Sequence, residues 1–482
     1  MKRQAGVLMP IAALPNRFGS GDFGPGAFRF VDDIKKAGFS IWQILPLNPL
    51  GYGNSPYQPY SSYAMDEIYI SLELLEKDGM IGPLKDYKKN AKMIEYQKVR
   101  VFRDAVLRQA FQNFKPDSEY TSFEEEMDWL EPYAVFRAFK EANALKPWNE
   151  WPQDERDYPL DQEVDLTPFE EEIRYHKFLQ FILFKQWKAL KQYANEKGIQ
   201  IMGDIPFYVG HDSADCWNAR SNFLLTKDGE PRFIAGVPPD YFAATGQRWG
   251  NPIYDWEYMK SDEFGFWLSR IGYSMELFDI IRLDHFRAFD TYWKIPASCP
   301  TAMEGEWIEA PGVNVFDKLL AAYPSIQIVA EDLGDLRPEV LELRDQFAFP
   351  GMHVLIFEFR TDTENRMNPH SILYTGTHDN QTIRAWIAEQ KPADRRHIYK
   401  WLNDHGYKGD TAVEKMLSFA MQSEPETVIV PAADWLEQGK TGTINRPGTI
   451  GSPNWEWRMT SFDAFEKRIP KIRKLIESGE RI

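Results

Sequence analysis

Four carboxylates stand at or near the ends of apolar runs in this chain: Asp204 after IQIMG, Asp284 after IIRL, Glu331 after IVA and Asp379 after SILYTGTH. Acids in such places suit transfer at an electrophilic sugar carbon. One carboxylate attacks, and a second moves the proton of the departing oxygen. Arg282 precedes Asp284 by two residues. Strand side chains alternate with period two, so both share one face. A guanidinium there favours the ionised acid, which makes Asp284 the candidate nucleophile. Glu331 follows the small apolar pair Val329 and Ala330. Desolvation there raises a carboxyl pKa, so Glu331 is the candidate general acid and base. Asp379 is placed to hold substrate hydroxyls and stabilise positive charge at the reacting carbon. His378 and His285 are candidates for hydrogen bonds to hydroxyls, or for satisfying a neighbouring carboxylate. An Arg-x-Asp by itself is most often a structural ion pair. The other acids change that reading only if the fold gathers them.

Eight β-type runs can do the gathering: 5–14, 41–45, 199–209, 278–284, 325–332, 352–359, 371–382 and the run from 427. Helical patterns at 27–37, 178–194, 264–277, 337–346 and 383–388, and long loops, lie between them. Such alternation implies parallel strands joined by right-handed crossovers. Eight units predict an α/β fold, a (β/α)8 TIM barrel over residues 1–482, whose reactive mouth lies at the C-terminal strand ends. A charged stretch with helical periodicity, about 72–175, reads as a helical insertion subdomain. A Gly-, Pro- and aromatic-rich stretch, about 206–263, reads as a loop insertion near the mouth. The loop 46–66 is dense in turn formers and tyrosines, which suits either a packed Ω-loop or a neutral-sugar surface.

The totals narrow the classes. The chain has 482 residues and a formal net charge of -16, which argues against nucleic acid and anionic membrane as main partners. Aromatic residues make up 15% of the chain, including 16 tryptophans, which can fill the core or, where exposed, form flat platforms for sugar rings. The two cysteines, Cys216 and Cys299, have no ligand spacing and suggest a reducing, cytoplasmic setting. The basic start MKRQAGVLMPIAAL reads as a first strand rather than a leader, because Pro10 interrupts its apolar run. No transition-metal motif, dinucleotide fingerprint or nucleophile elbow is present. Neither metal nor cofactor is expected.

These residues also carry a resemblance. IIRLDHF, VAEDLG and GTHDNQT are similar to the regions around the three catalytic acids of the α-amylase clan. YGNSPYQPYSSYA, GDIPFYV, VPPDYFAATGQRWGNPIYDW and TIGSPNWEWRM extend it nearly end to end. Together they resemble the 4-α-glucanotransferases of glycoside hydrolase family 77. The resemblance implies Asp284 as nucleophile, Glu331 as acid/base and Asp379 as transition-state stabiliser. It implies Arg282, His378 and Asp204 as substrate-subsite residues, with Ser55, Tyr57, Gln247, Trp249 and Asn454 lining donor and acceptor subsites. It further implies maltodextrins, or α-1,4-glucans from starch or glycogen, as substrates, and no calcium. No C-terminal β-sandwich is expected. The rivals are a glucan hydrolase using the same acids and a glucan-binding protein without turnover.

Overall fold

A computed structural model describes residues 3–89, 91–239, 244–362 and 365–482. Its strands are β1 Gln4–Leu8, β2 Ile41–Gln43, β3 Gln200–Ile205, β4 Phe233–Val237, β5 Gln247–Pro252 and β6 Ile280–Leu283. They continue as β7 Thr291–Pro296, β8 Glu306–Glu309, β9 Ile328–Ala330, β10 Gly351–Val354, β11 Ser371–Tyr374 and β12 Thr427–Pro431. Eight of them form one parallel sheet in the order β10-β11-β12-β1-β2-β3-β6-β9. Helices and loops cover it, as a parallel sheet buried on both faces requires. The fold is a (β/α)8 barrel.

The barrel is nearly closed between β9 and β10. One main-chain bond crosses that seam, from Ala330 N–H to the Pro350 carbonyl at 3.0 Å. The Asp332 carboxylate adds a second tie by accepting the Met352 N–H at 2.7 Å. Gly351 makes room for it, because a Cβ there would lie 2.3 Å from Asp332 Oδ2. Of the two adjacent acids, Asp332 therefore closes the barrel and leaves Glu331 for the mouth. At the opposite end Arg481, only 1% exposed, donates to the carbonyls of Gln4, Met421, Ser423, Pro425 and Glu426. It joins the starts of β1 and β12 to the C-terminal helix Ile469–Ser478.

Local sequence accounts for most elements. The helix Pro25–Ala37 has proline in its first turn, buries Phe30, Val31 and Ile34, and stops at Gly38, whose φ of 96° suits glycine. Helices Tyr96–Asn113, Ser118–Glu126, Leu130–Ala142 and Gln153–Asp161 lie between β2 and β3. The boundary expected near residue 175 falls inside one helix, Glu170–Glu196, which leads into β3. Three glutamates open that helix, where its dipole favours negative charge. Among the described residues, no helix is long and apolar enough to cross a membrane.

Three expectations need correction. The run 5–14 is a strand only through Leu8; Pro10 has no N–H for the ladder, and the chain makes a 3-10 turn at Ile11–Ala13. The run 352–359 is strand only to Val354 and then a short helix, Leu355–Glu358. There Glu358 turns back to accept the Val354 N–H and to meet the His353 ring. The stretch 206–263 is more than loop. Its β4 and β5 belong to a four-stranded antiparallel sheet of order β5-β4-β7-β8. β4 finds its second partner, β7, beyond Asp284. Turn formers at Gly236, Pro238, Pro239, Gly246 and Gly250 hide these strands from a local reading.

Candidate active site

Strand register brings the acids together. β3 pairs with β6 so that Asp204 lies opposite Arg282, and β6 pairs with β9 so that Arg282 lies opposite Val329. Asp284 and Glu331 are the first residues past the ends of β6 and β9. Their backbones continue the ladder by one step: Asp284 N–H donates to the Ile205 carbonyl, and Glu331 N–H to the Leu283 carbonyl, both at 3.0 Å. His378 and Asp379 follow β11.

Arg282 is the hub of the network and is 3% exposed. Its Nη1 donates to Asp204 Oδ1 at 2.6 Å and to Asp284 Oδ1 at 2.8 Å. One buried cation thus serves two carboxylates, where sequence alone gave it only Asp284. Burial pushes the Asp204 carboxyl up, against the pull of Arg282. The Tyr57 hydroxyl donates to Asp204 Oδ2 at 2.7 Å and lies 3.2 Å from His378 Nδ1. Burial, and then the nearby acids, hold that phenol well above its usual pKa, so it stays a donor. Its ring stacks on the His378 ring with centroids 4.8 Å apart.

His378 Nε2 is 3.4 Å from Asp379 Oδ1. Burial opposes charge on this imidazole, but Asp379 outweighs it and raises the pKa. An imidazolium can then donate from one nitrogen to Tyr57 and from the other to Asp379. Asn445 Nδ2 donates to the same Asp379 oxygen at 2.7 Å, and Asn445 N–H donates to the His378 carbonyl at 3.0 Å. Desolvation pushes Asp379 up, yet His378 and Asn445 prevail and hold it down at about 2.

Glu331 has a different environment. Its Oε2 accepts the His285 N–H at 2.7 Å, and its Oε1 accepts the Leu333 N–H at 3.3 Å. Burial, then the charge of Asp284, push it up to about 8, against Arg282 and the His285 N–H. A carboxylic acid that keeps its proton at neutral pH therefore lies beside a carboxylate bonded to arginine. Such a pairing can supply one proton donor and one nucleophile. Among the described residues, the one three-ligand cluster spaced for a metal ion is Glu141, Glu172 and His176, in the helices between β2 and β3. Arg108 already takes both Glu172 oxygens there, at 2.6 and 2.8 Å.

The remaining candidates divide. Ser55 Oγ accepts the Tyr57 N–H at 3.3 Å and shapes the turn that carries Tyr57. Gln247 and Trp249 lie on β5, joined by a bond from Trp249 Nε1 to Gln247 Oε1 at 3.2 Å. The Trp249 ring meets His285 edge-on at 4.9 Å. Residues 240–243 of the stretch 237–249 lie outside the described residues. Asn454 is 3% exposed, and its amide ties a loop together. It accepts from Arg446 N–H and donates to the Thr449 carbonyl and hydroxyl. The structure thus joins Asn454 to its own loop rather than to the acids. Sequence reasoning missed Asn445, and Trp455, whose ring lies near Tyr57 and His378. The available signal was position: both follow β12, in the last loop over the barrel mouth.

The family described as 4-alpha-glucanotransferase, glycoside hydrolase family 77, matches residues 9–463. The chain belongs to this family. It is accordingly an enzyme of the 4-α-glucanotransferase class. The 4-alpha-glucanotransferase of Synechocystis sp. is 41% identical, over 95% of this chain and 94% of that one. That of Thermus thermophilus is 38% identical, with both chains covered completely at 100%. The structure of amylomaltase from Streptococcus agalactiae in complex with acarbose is similar over 100% of both chains, at 33% identity and a TM-score of 0.94.

Proposed function

We propose that this enzyme transfers segments of α-1,4-glucans by a two-step retaining reaction. Asp284 attacks the anomeric carbon while Glu331 gives its proton to the departing glycosidic oxygen. The C1–O bond breaks and an ester between C1 and Asp284 forms. Glu331, now a carboxylate, takes the proton of an incoming 4-hydroxyl. That oxygen bonds to C1, and Asp284 leaves as a carboxylate. Asp379, held by His378 and Asn445, faces the positive charge that develops on the sugar ring. Arg282, His378, Asp204 and Tyr57 bind and align the donor sugar. Ser55 and Asn454 act through the loops they hold, and Gln247 and Trp249 flank the acceptor side. Maltodextrins and starch- or glycogen-derived glucans are the substrates of this reading. The acarbose complex of the Streptococcus agalactiae amylomaltase agrees with a glucan-like ligand.

The observation that carries the reading is the buried Glu331 carboxyl, held by the His285 N–H and pushed toward its protonated form, next to an Asp284 bonded to Arg282. The whole chain acts as one catalytic barrel, with insertions at about 72–175 and 206–263. Its free cysteines suit a cytoplasmic setting.

Maltotriose is the test substrate. Transfer yields glucose and longer maltodextrins with little net gain of reducing ends. A gain that keeps step with turnover would make the enzyme a hydrolase and overturn the transfer reading. Asp284→Ala should lose at least about a thousandfold in kcat, because it removes the attacking oxygen. Near-native turnover by the folded variant would remove Asp284 from the role.

A further inference from the structure

His285 is built at a cost. It follows Asp284 directly and adopts φ 50° and ψ 48°, the left-handed region that a side chain with Cβ disfavours. Glycine or asparagine would sit there more easily. Two contacts come with the imidazole residue in this conformation. On its backbone side, the N–H reaches Glu331 Oε2 at 2.7 Å. On its side-chain side, the ring meets Trp249 at 4.9 Å and 79°, with Tyr208 behind at 6.3 Å. Burial pushes the imidazole down to about 4, so the ring that meets Trp249 is neutral.

Trp249 does not belong to the barrel. It lies on β5, the end strand of the antiparallel sheet, which pairs only with β4. Its carbonyl accepts Gln58 Nε2 at 3.0 Å, one residue beyond Tyr57. The edge-on contact with His285 therefore links this second sheet to the barrel's reactive end. It does so through the residue that holds the acid/base.

We propose that His285 is a positioning residue that couples the acceptor side of the mouth, at Trp249, to the carboxyl of Glu331, and so favours a sugar acceptor over water. This rests on the transfer reaction described above. In its second half, Glu331 must act as a carboxylate, and the His285 N–H stabilises that form. A sugar seated against Trp249 presses the indole onto His285 and keeps the N–H on Glu331. Water is too small to do so. The base is then best aligned when a sugar hydroxyl is the group to be deprotonated.

The test uses the full-length enzyme with maltotriose. It reads glucose formed by transfer against the net gain of reducing ends. His285→Gly and His285→Asn both accept the backbone conformation, so each removes the imidazole without adding strain. Either variant, and Trp249→Ala, should raise the share of turnovers ending on water by about two- to tenfold, the span an edge-to-face aromatic contact can carry. The double variant Trp249→Ala/His285→Gly should go no further than the larger single effect, because both remove one contact. An unmoved partition in both folded His285 variants would overturn the inference, as would a double effect equal to the product of the singles. Reducing ends rising with turnover in the unaltered enzyme would instead defeat the underlying transfer reading. Intact transfer there, with unmoved variants, would remove only the role of His285.

Discussion

Replacing Asn445 with alanine isolates one contact at the site. The side chain donates a single hydrogen bond, 2.7 Å long, to Asp379 Oδ1. The backbone bond from Asn445 N–H to His378 survives the change, so the loop keeps its anchor. A hydrogen bond to a charged acceptor is worth about 1.5–3 kcal/mol. The Asp379 side chain is 44% exposed, so water replaces part of the lost bond and the lower end applies. About 1.5 kcal/mol corresponds to roughly a tenfold fall in rate. If Asp379 stabilises the transition state, that loss appears in kcat, with KM nearly unchanged. Initial rates of glucose formation over a range of maltotriose concentrations separate the two, and the melting temperature reports on folding. A kcat within twofold of the unaltered enzyme, at unchanged stability, would refute the reasoning. A rise in KM alone would instead mean that Asn445 binds sugar directly.

Three further outcomes follow from buried charge. If Glu331 protonates the departing oxygen, transfer should decline as pH rises through about 8; a profile flat to pH 9.5 would oppose the assignment. The unfolded chain releases that proton near 4.5 and the folded one holds it to about 8, so this group's contribution to stability falls as pH rises across that window. Glu331→Gln should consequently melt higher than the unaltered enzyme at pH 8.5, and a lower melting temperature there would contradict the burial argument. Arg481→Met should lower stability by about 3 kcal/mol, since it strips donors from five carbonyls at the closed end of the barrel. Urea unfolding measures this, and kcat should be unaffected because the change lies away from the mouth.

The barrel was legible because its strands are continuous apolar runs, which parallel strands covered on both faces must be. Each run ends in polar residues, and so Asp284 and Glu331 could be placed one step beyond β6 and β9 from pattern alone. The pattern failed where a side chain acts on its own backbone. Glu358 coils the end of one run, and the missing N–H of Pro10 ends another. The antiparallel sheet was hidden for a different reason. Its strands carry turn formers, and β4 joins a sheet larger than a hairpin only by pairing with the distant β7. Asn454 shows the limit for site residues. Its place in a family motif implies a substrate-side role, and only the structure adds that its buried amide bonds Arg446 and Thr449.

Sequence by itself determined which acids are present, that they follow strands, and that an arginine shares a strand face with one of them. These properties depend on residue type and on a local period of two. Tertiary structure decided the rest. Arg282 serves Asp204 as well as Asp284 because β3 lies beside β6. Asp379 is held down by an asparagine from the loop after β12. Glu331 keeps its proton because burial and a neighbouring carboxylate meet at one point. Protonation depends on distance and on exclusion of water, and both are set by segments remote in sequence. The chain order holds the parts of the site, and only their packing assigns each carboxyl its charge.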